Sequence, residues 1–167
     1  AVIVALMLTA CGSTSVEEYA AKKPELDIRE YLNGDLEAWG TVINIDGSAE
    51  PSFYVKMKGS WQGKTGTLDE QFTYTNGEKK HRRWTFTMTD DHHFTGTASD
   101  VVGKGEGKQY GNAVNMRYVL TVPHGDGTVD LSMDDWLYRI DEKRVINRTA
   151  MRKFGINVGE LVIAFHK

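Results

Sequence analysis

Glu70 stands on the same side of an alternating stretch as Leu68, Phe72 and Tyr74. A carboxylate on an apolar strand face is either held by a partner or used in chemistry. Asp134 and Asp135 form a second acidic pair. Adjacent strand residues face opposite sides, so one aspartate is expected inside and the other in solvent, which rules out a catalytic dyad. The inner one needs a partner, and Arg144 or Arg148 is the expected source. Asp90-Asp91-His92-His93 offers four ligands of the kind zinc takes. Four consecutive residues at a hairpin cannot all turn toward one ion, so a polar turn is expected there and no metal. Arg144, Arg148 and Arg152 recur at every fourth position and so share one strand face. Such a row either grips a carboxylate or phosphate or lies solvated over apolar neighbours. Gly103, Gly105, Gly107 and Gly111 surround Lys104 and Lys108, but a phosphate loop opens a helix, and here a strand follows. The five histidines, at 81, 92, 93, 124 and 166, fall at turns or strand ends. No Ser-His-Asp or Cys-His arrangement emerges.

Cys11 is a different kind of candidate. It follows the uncharged run AVIVALMLTA, which is too short to span a bilayer as a helix and fits the apolar part of a secretory signal. Leu8-Thr9-Ala10-Cys11 resembles a bacterial lipobox, in which small residues flank the scissile bond and the thiol takes a diacylglyceryl group. The expected organisation is a signal remnant at 1–10, a lipidated tether at 11–26 and one domain at 27–167. Gly12 stands where an aspartate would retain a lipoprotein in the inner membrane. That points to the periplasmic face of the outer membrane, with acyl chains contributing roughly 0.8 kcal/mol per buried CH₂.

The elements that must position these residues are strands. The chain has 167 residues, net charge −3, 40% apolar and 26% charged residues, which describes one globular domain. There is no basic excess to suggest nucleic acid, and a single cysteine forbids an internal disulfide. Asp27 with Glu30 reads as a capping box for a short helix over 28–33, ended by Gly34. From residue 39 onward, alternation and turn signals predict about nine strands. The clearest is 81–89, where Trp84, Phe86 and Met88 face one way. Asn76-Gly77 is a hairpin signal. A meander this long removes its edges by closing. The expected fold is all-β: a single antiparallel up-and-down barrel of eight to ten strands with a short N-terminal helix. A sandwich is the alternative.

Several short motifs follow one another in a specific order and spacing: Tyr31-Leu32-Asn33-Gly34, Ala38-Trp39-Gly40, Leu68-Asp69-Glu70, Gly111-Asn112-Ala113, Asp134-Asp135-Trp136-Leu137-Tyr138, Ile146-Asn147-Arg148 and Val158-Gly159-Glu160. The set resembles a family of Gram-negative lipoproteins known as domain of unknown function 3833. The resemblance implies a calycin-like barrel, related in shape to lipocalins, and a setting among membrane lipids. It implies no catalytic residues. Lipocalins cover a first-strand Trp with an Arg from the last strand. Trp39 and Arg148 are the matching candidates, although the Gly-x-Trp spacing and the long C-terminal helix are missing.

The leading expectation is therefore a non-enzymatic binder of an apolar ligand, such as a fatty acid or phospholipid, with no cofactor. Its candidate ligand-binding residues are Trp39, Glu70, Trp84, Tyr118, Asp135, Trp136 and Arg148, with Arg148 near the mouth as headgroup contact. A cavity of about 300 Å³ or more would separate this reading from an envelope scaffold with a filled barrel. A third reading, an enzyme acting on membrane lipid, would use Glu70 or Asp135 as base.

Overall fold

The structure, a computed structural model, describes residues 13–167. The run at 1–10 and the lipidation expected at Cys11 lie outside the described residues. A 3-10 turn at Val16–Tyr19 is followed by helix α1 (Ile28–Tyr31). Ten strands come next: β1 (Gly34–Asn44), β2 (Ala49–Gln62), β3 (Thr65–Tyr74), β4 (Lys79–Met88), β5 (His93–Thr97), β6 (Gly105–Tyr110), β7 (Ala113–His124), β8 (Gly127–Arg139), β9 (Arg144–Lys153) and β10 (Ile156–His166). Each pairs antiparallel with its sequence neighbours. β10 returns to β1, from Glu37 opposite His166 to Asn44 opposite Gly159, and closes the barrel.

Three expectations are corrected here. The first strand starts at Gly34, not at residue 39. The pattern after the turn at Asp90-Asp91 predicts a strand over 93–102, but β5 ends at Thr97. The glycine-rich stretch contains β6, a strand not expected there, which brings the total to ten. Glycine is depleted in strands, yet here its bareness is what packing requires. A Cβ on Gly107 would lie 2.1 Å from Phe94 Cζ, and one on Gly105 would lie 2.5 Å from Met116 Cε. The neighbouring side chains occupy the space that β6 leaves empty.

Because strand direction alternates, the β1–β2, β3–β4, β5–β6, β7–β8 and β9–β10 connections gather at one end. The opposite end is a floor. Asp27 caps α1 by accepting from Arg29 N at 2.8 Å, while Glu30 turns to Arg139 at 3.5 Å instead of folding back on the cap. The helix lays Ile28, Tyr31 and Leu32, all buried, across the barrel bottom. Ile28 N donates to Gln109 Oε1 at 3.0 Å, and Tyr31 OH donates to the Lys143 carbonyl at 2.9 Å. Arg139 Nη1 donates to the Glu25 carbonyl at 2.7 Å. Gly59 lets the chain sit this close: a Cβ there would lie 1.5 Å from the Leu32 carbonyl oxygen. Above the floor, Trp84 stacks on Phe86 at 5.5 Å, and Phe86 meets Phe94 edge-on at 5.9 Å.

Candidate functional site

A cavity of about 530 Å³ occupies the barrel. It extends from Ile28 and Leu32 at the floor to Pro51, Glu78 and Pro123 at the open rim. Most of its wall is apolar, including Phe53, Phe72, Met133 and Leu161. A belt of polar side chains crosses its middle, supplied by β3, β4, β7, β8 and β9: Glu70, Arg82, Tyr118, Asp135, Asn147 and Thr149.

Glu70 projects from β3 between the inward Leu68 and Phe72 and is only 9% exposed. Arg82 Nη1 lies 3.6 Å from Glu70 Oε2. That oxygen accepts no hydrogen bond among the described residues. Burial raises the Glu70 carboxyl to about 7, against the pull of Arg82 and with help from the charges of Asp135 and Asp100. Arg82 in turn donates through Nε and Nη2 to Asp100, at 3.0 and 2.9 Å from Oδ2. Lys80 Nζ reaches the same oxygen at 2.9 Å. Burial disfavours the Asp100 charge, but Arg82 and Lys80 together hold its carboxyl below the usual range.

Asp135 projects from β8 and is built in differently. It accepts from Asn147 Nδ2, from the Thr149 hydroxyl at 3.1 Å and from Tyr118 OH at 3.3 Å. Burial still raises its carboxyl to about 6, against these three donors. Burial, and then the charge of Asp135, push the Tyr118 hydroxyl well above its ordinary value. The partner expected for the inner aspartate was Arg144 or Arg148. The structure supplies neutral donors instead, because both arginines point outward from β9.

Of the seven candidate residues, the cavity brings together Glu70, Trp84, Tyr118 and Asp135. The other three face out, and their placement in the site is corrected. Inward positions on β1 are Leu36 and Ala38, so Trp39 is half-exposed and packs on Tyr54, with ring centroids 5.6 Å apart. Trp136 follows the inward Asp135 and stacks on Tyr138 at 5.8 Å, on the outer wall. Arg148 sits between the inward Asn147 and Thr149 and pairs with Glu160 at 2.7 Å instead of covering Trp39. Arg82, Asn147 and Thr149 were missed as site residues. Arg82 shares the phase of Trp84, Phe86 and Met88, so alternation alone carried the signal.

The remaining motifs resolve plainly. Asp90 accepts from the backbone N–H of His92 and His93 at 2.8 and 2.9 Å, which makes 90–93 a turn. Among the described residues no group of three His, Cys, Asp or Glu side chains is placed to hold a metal. Asp134 is the outward member of its pair, 3.6 Å from both Arg117 and Arg152.

A solved structure titled S-type phycobiliprotein lyase CPES, from Guillardia theta, is similar over 84% of this chain and 90% of its own, with TM-score 0.61 and 8% identity. At that identity the likeness is one of fold. It supports a lipocalin-like barrel. No curated protein matches the chain. The sequence profile of DUF3833, described as a protein of unknown function, spans residues 5–167, and the chain belongs to that family.

Proposed function

We propose that this protein is a ligand-binding lipoprotein, held at the periplasmic face of the outer membrane by acylated Cys11, whose barrel carries an apolar molecule such as a fatty acid or phospholipid. The observation that carries the reading is the cavity of about 530 Å³, within the range that small-molecule sites occupy. It argues against the filled barrel of a pure scaffold. The fold shared with a protein titled a phycobiliprotein lyase supports the barrel interior as the binding place. The membrane part of the reading draws support from the rim. Ile45, Phe154 and Ile156 are exposed on adjacent hairpins there, and Lys153 Nζ lies 4.6 Å over the Phe154 ring.

The test is lipid extraction and mass spectrometry on protein purified from envelopes, beside a Cys11→Ser control. A stoichiometric non-covalent lipid in both supports the carrier. An empty protein in both overturns it and returns weight to the scaffold reading. A second reading, proton-transfer chemistry on the ligand, is favoured by the carboxyl of Glu70 standing near neutrality inside the cavity. It requires that the extracted molecule be altered on incubation with the protein.

A further inference from the structure

We propose that the polar belt selects a single-chain amphiphile whose head donates hydrogen bonds, an alcohol, amide or ammonium group, and rejects an ionised carboxylate. The inference rests on the reading above that the barrel cavity binds an apolar ligand, and it narrows that reading: an ionised fatty acid and a two-chain phospholipid fall outside the class it names.

The argument begins with what is left unmade. Among the described residues Glu70 Oε2 is buried with no hydrogen bond, and the cation of Arg82 stands 3.6 Å away. Asp135 Oδ2 has one contact, the long 3.3 Å bond from Tyr118. Buried acceptors without donors are costly, and a ligand group that satisfies them recovers that cost. Most of the mid-barrel donors, by contrast, are already engaged, and the remaining nitrogen of Arg82 is turned toward Glu70. Arg82 spends Nε and Nη2 on Asp100. Asn147 Nδ2 serves Asp135 and the Trp136 carbonyl. The Thr149 hydroxyl serves Asp135, and Lys80 serves Asp100.

The charge balance points the same way. Glu70, Asp135 and Asp100 oppose Arg82 and Lys80, and Glu78 adds a further acid at the rim. With all of them ionised the interior carries excess negative charge. A carboxylate head would meet that charge at low dielectric and find no free guanidinium. A donor head meets open lone pairs, and the apolar wall accommodates its chain. The sequence had assigned a headgroup contact to Arg148, but the arginine inside the barrel is Arg82, and its charge is already answered.

The test is displacement of the neutral fluorophore N-phenyl-1-naphthylamine from the purified full chain by dodecylamine, dodecanol and dodecanoate at about pH 8, where carboxylic acids are ionised. The amine and the alcohol are expected to bind roughly tenfold tighter than dodecanoate, the factor that about 1.4 kcal/mol gives. Glu70→Gln and Asp135→Asn should each shrink the ratio of amine to carboxylate affinity. Dodecanoate binding as well as or better than the other two, or a ratio unchanged in both variants, overturns the proposal. If dodecanoate matches the others, the cavity reading stands and only the head preference falls. If the fluorophore binds nowhere and none of the three ligands protects the protein against thermal unfolding, the cavity reading falls and this inference with it. The wild-type comparison decides the question even if a variant does not fold.

Discussion

Arg82 holds Asp100 in a forked grip, Nε and Nη2 both within 3.1 Å of its carboxylate, and turns its remaining nitrogen toward Glu70 at 3.6 Å. One buried cation thus serves two carboxylates, one from β3 and one from the β5–β6 connection. Removing that cation leaves two buried carboxylates without their shared partner.

Arg82→Leu is therefore expected to destabilise the fold by about 3–5 kcal/mol near pH 8. The loss should be smaller near pH 5, where Glu70 can hold a proton. Urea unfolding at the two pH values checks this, and an equal loss at both would mean that Glu70 does not depend on Arg82.

The Glu70 carboxyl keeps its proton up to about 7 in the folded chain, against an ordinary value of 4.5, and Asp135 keeps its own up to about 6 against 3.8. The native state then binds more protons than the unfolded chain across these windows, so stability falls as pH rises through them. Each group contributes on the order of 3 kcal/mol to that fall. Glu70→Gln should flatten the slope of Tm between about pH 5 and 8 and raise Tm at the upper end, by roughly 3 °C or more. A slope as steep as that of the wild type would show that the glutamate is not the group responsible.

Arg148→Ala and Trp39→Ala act on the outer wall. The Arg148–Glu160 pair is solvated, so its loss should cost under about 1 kcal/mol. Affinity for N-phenyl-1-naphthylamine should stay within about twofold of wild type in both variants. A tenfold loss in either would return that residue to the binding site.

Gly107→Ala places a methyl 2.1 Å from Phe94 Cζ, an overlap that the ring must yield to. Overpacking of this kind costs about 1–3 kcal/mol. Phe94→Leu in the same chain should recover part of the loss, and a double-mutant cycle by thermal denaturation measures the coupling. Simple additivity would count against the contact.

Most of the barrel was legible in local pattern, and what was misread traces to strand phase. Glu70 and Trp84 are placed inside by their own alternating neighbours, which fix the phase without any tertiary knowledge. Trp39 enters the candidate set through the likeness to the first-strand Trp of lipocalins. The phase of β1, however, is set by Leu36 and Ala38, upstream of where the strand was taken to begin. On β9 the usual pattern is inverted in the middle. Asn147 and Thr149 face in to serve Asp135, while Ile146 faces out, so polarity alone gave no direction. β6 stayed hidden because its glycines are chosen for what Phe94 and Met116 need, a requirement written in other strands. Arg82 was available to the same reasoning that found Trp84, since both share one phase of β4.

The seal that α1 makes beneath the barrel has a consequence for traffic. With Tyr31 and Leu32 laid across the bottom and Gly59 pressed against the chain there, the lumen is a cul-de-sac. A molecule leaves through the doorway by which it arrived, so loading and unloading exclude one another in time. Under the proposed ligand-binding function, such a vessel would work by turns, as a shuttle does, and not as a conduit through which a stream could pass.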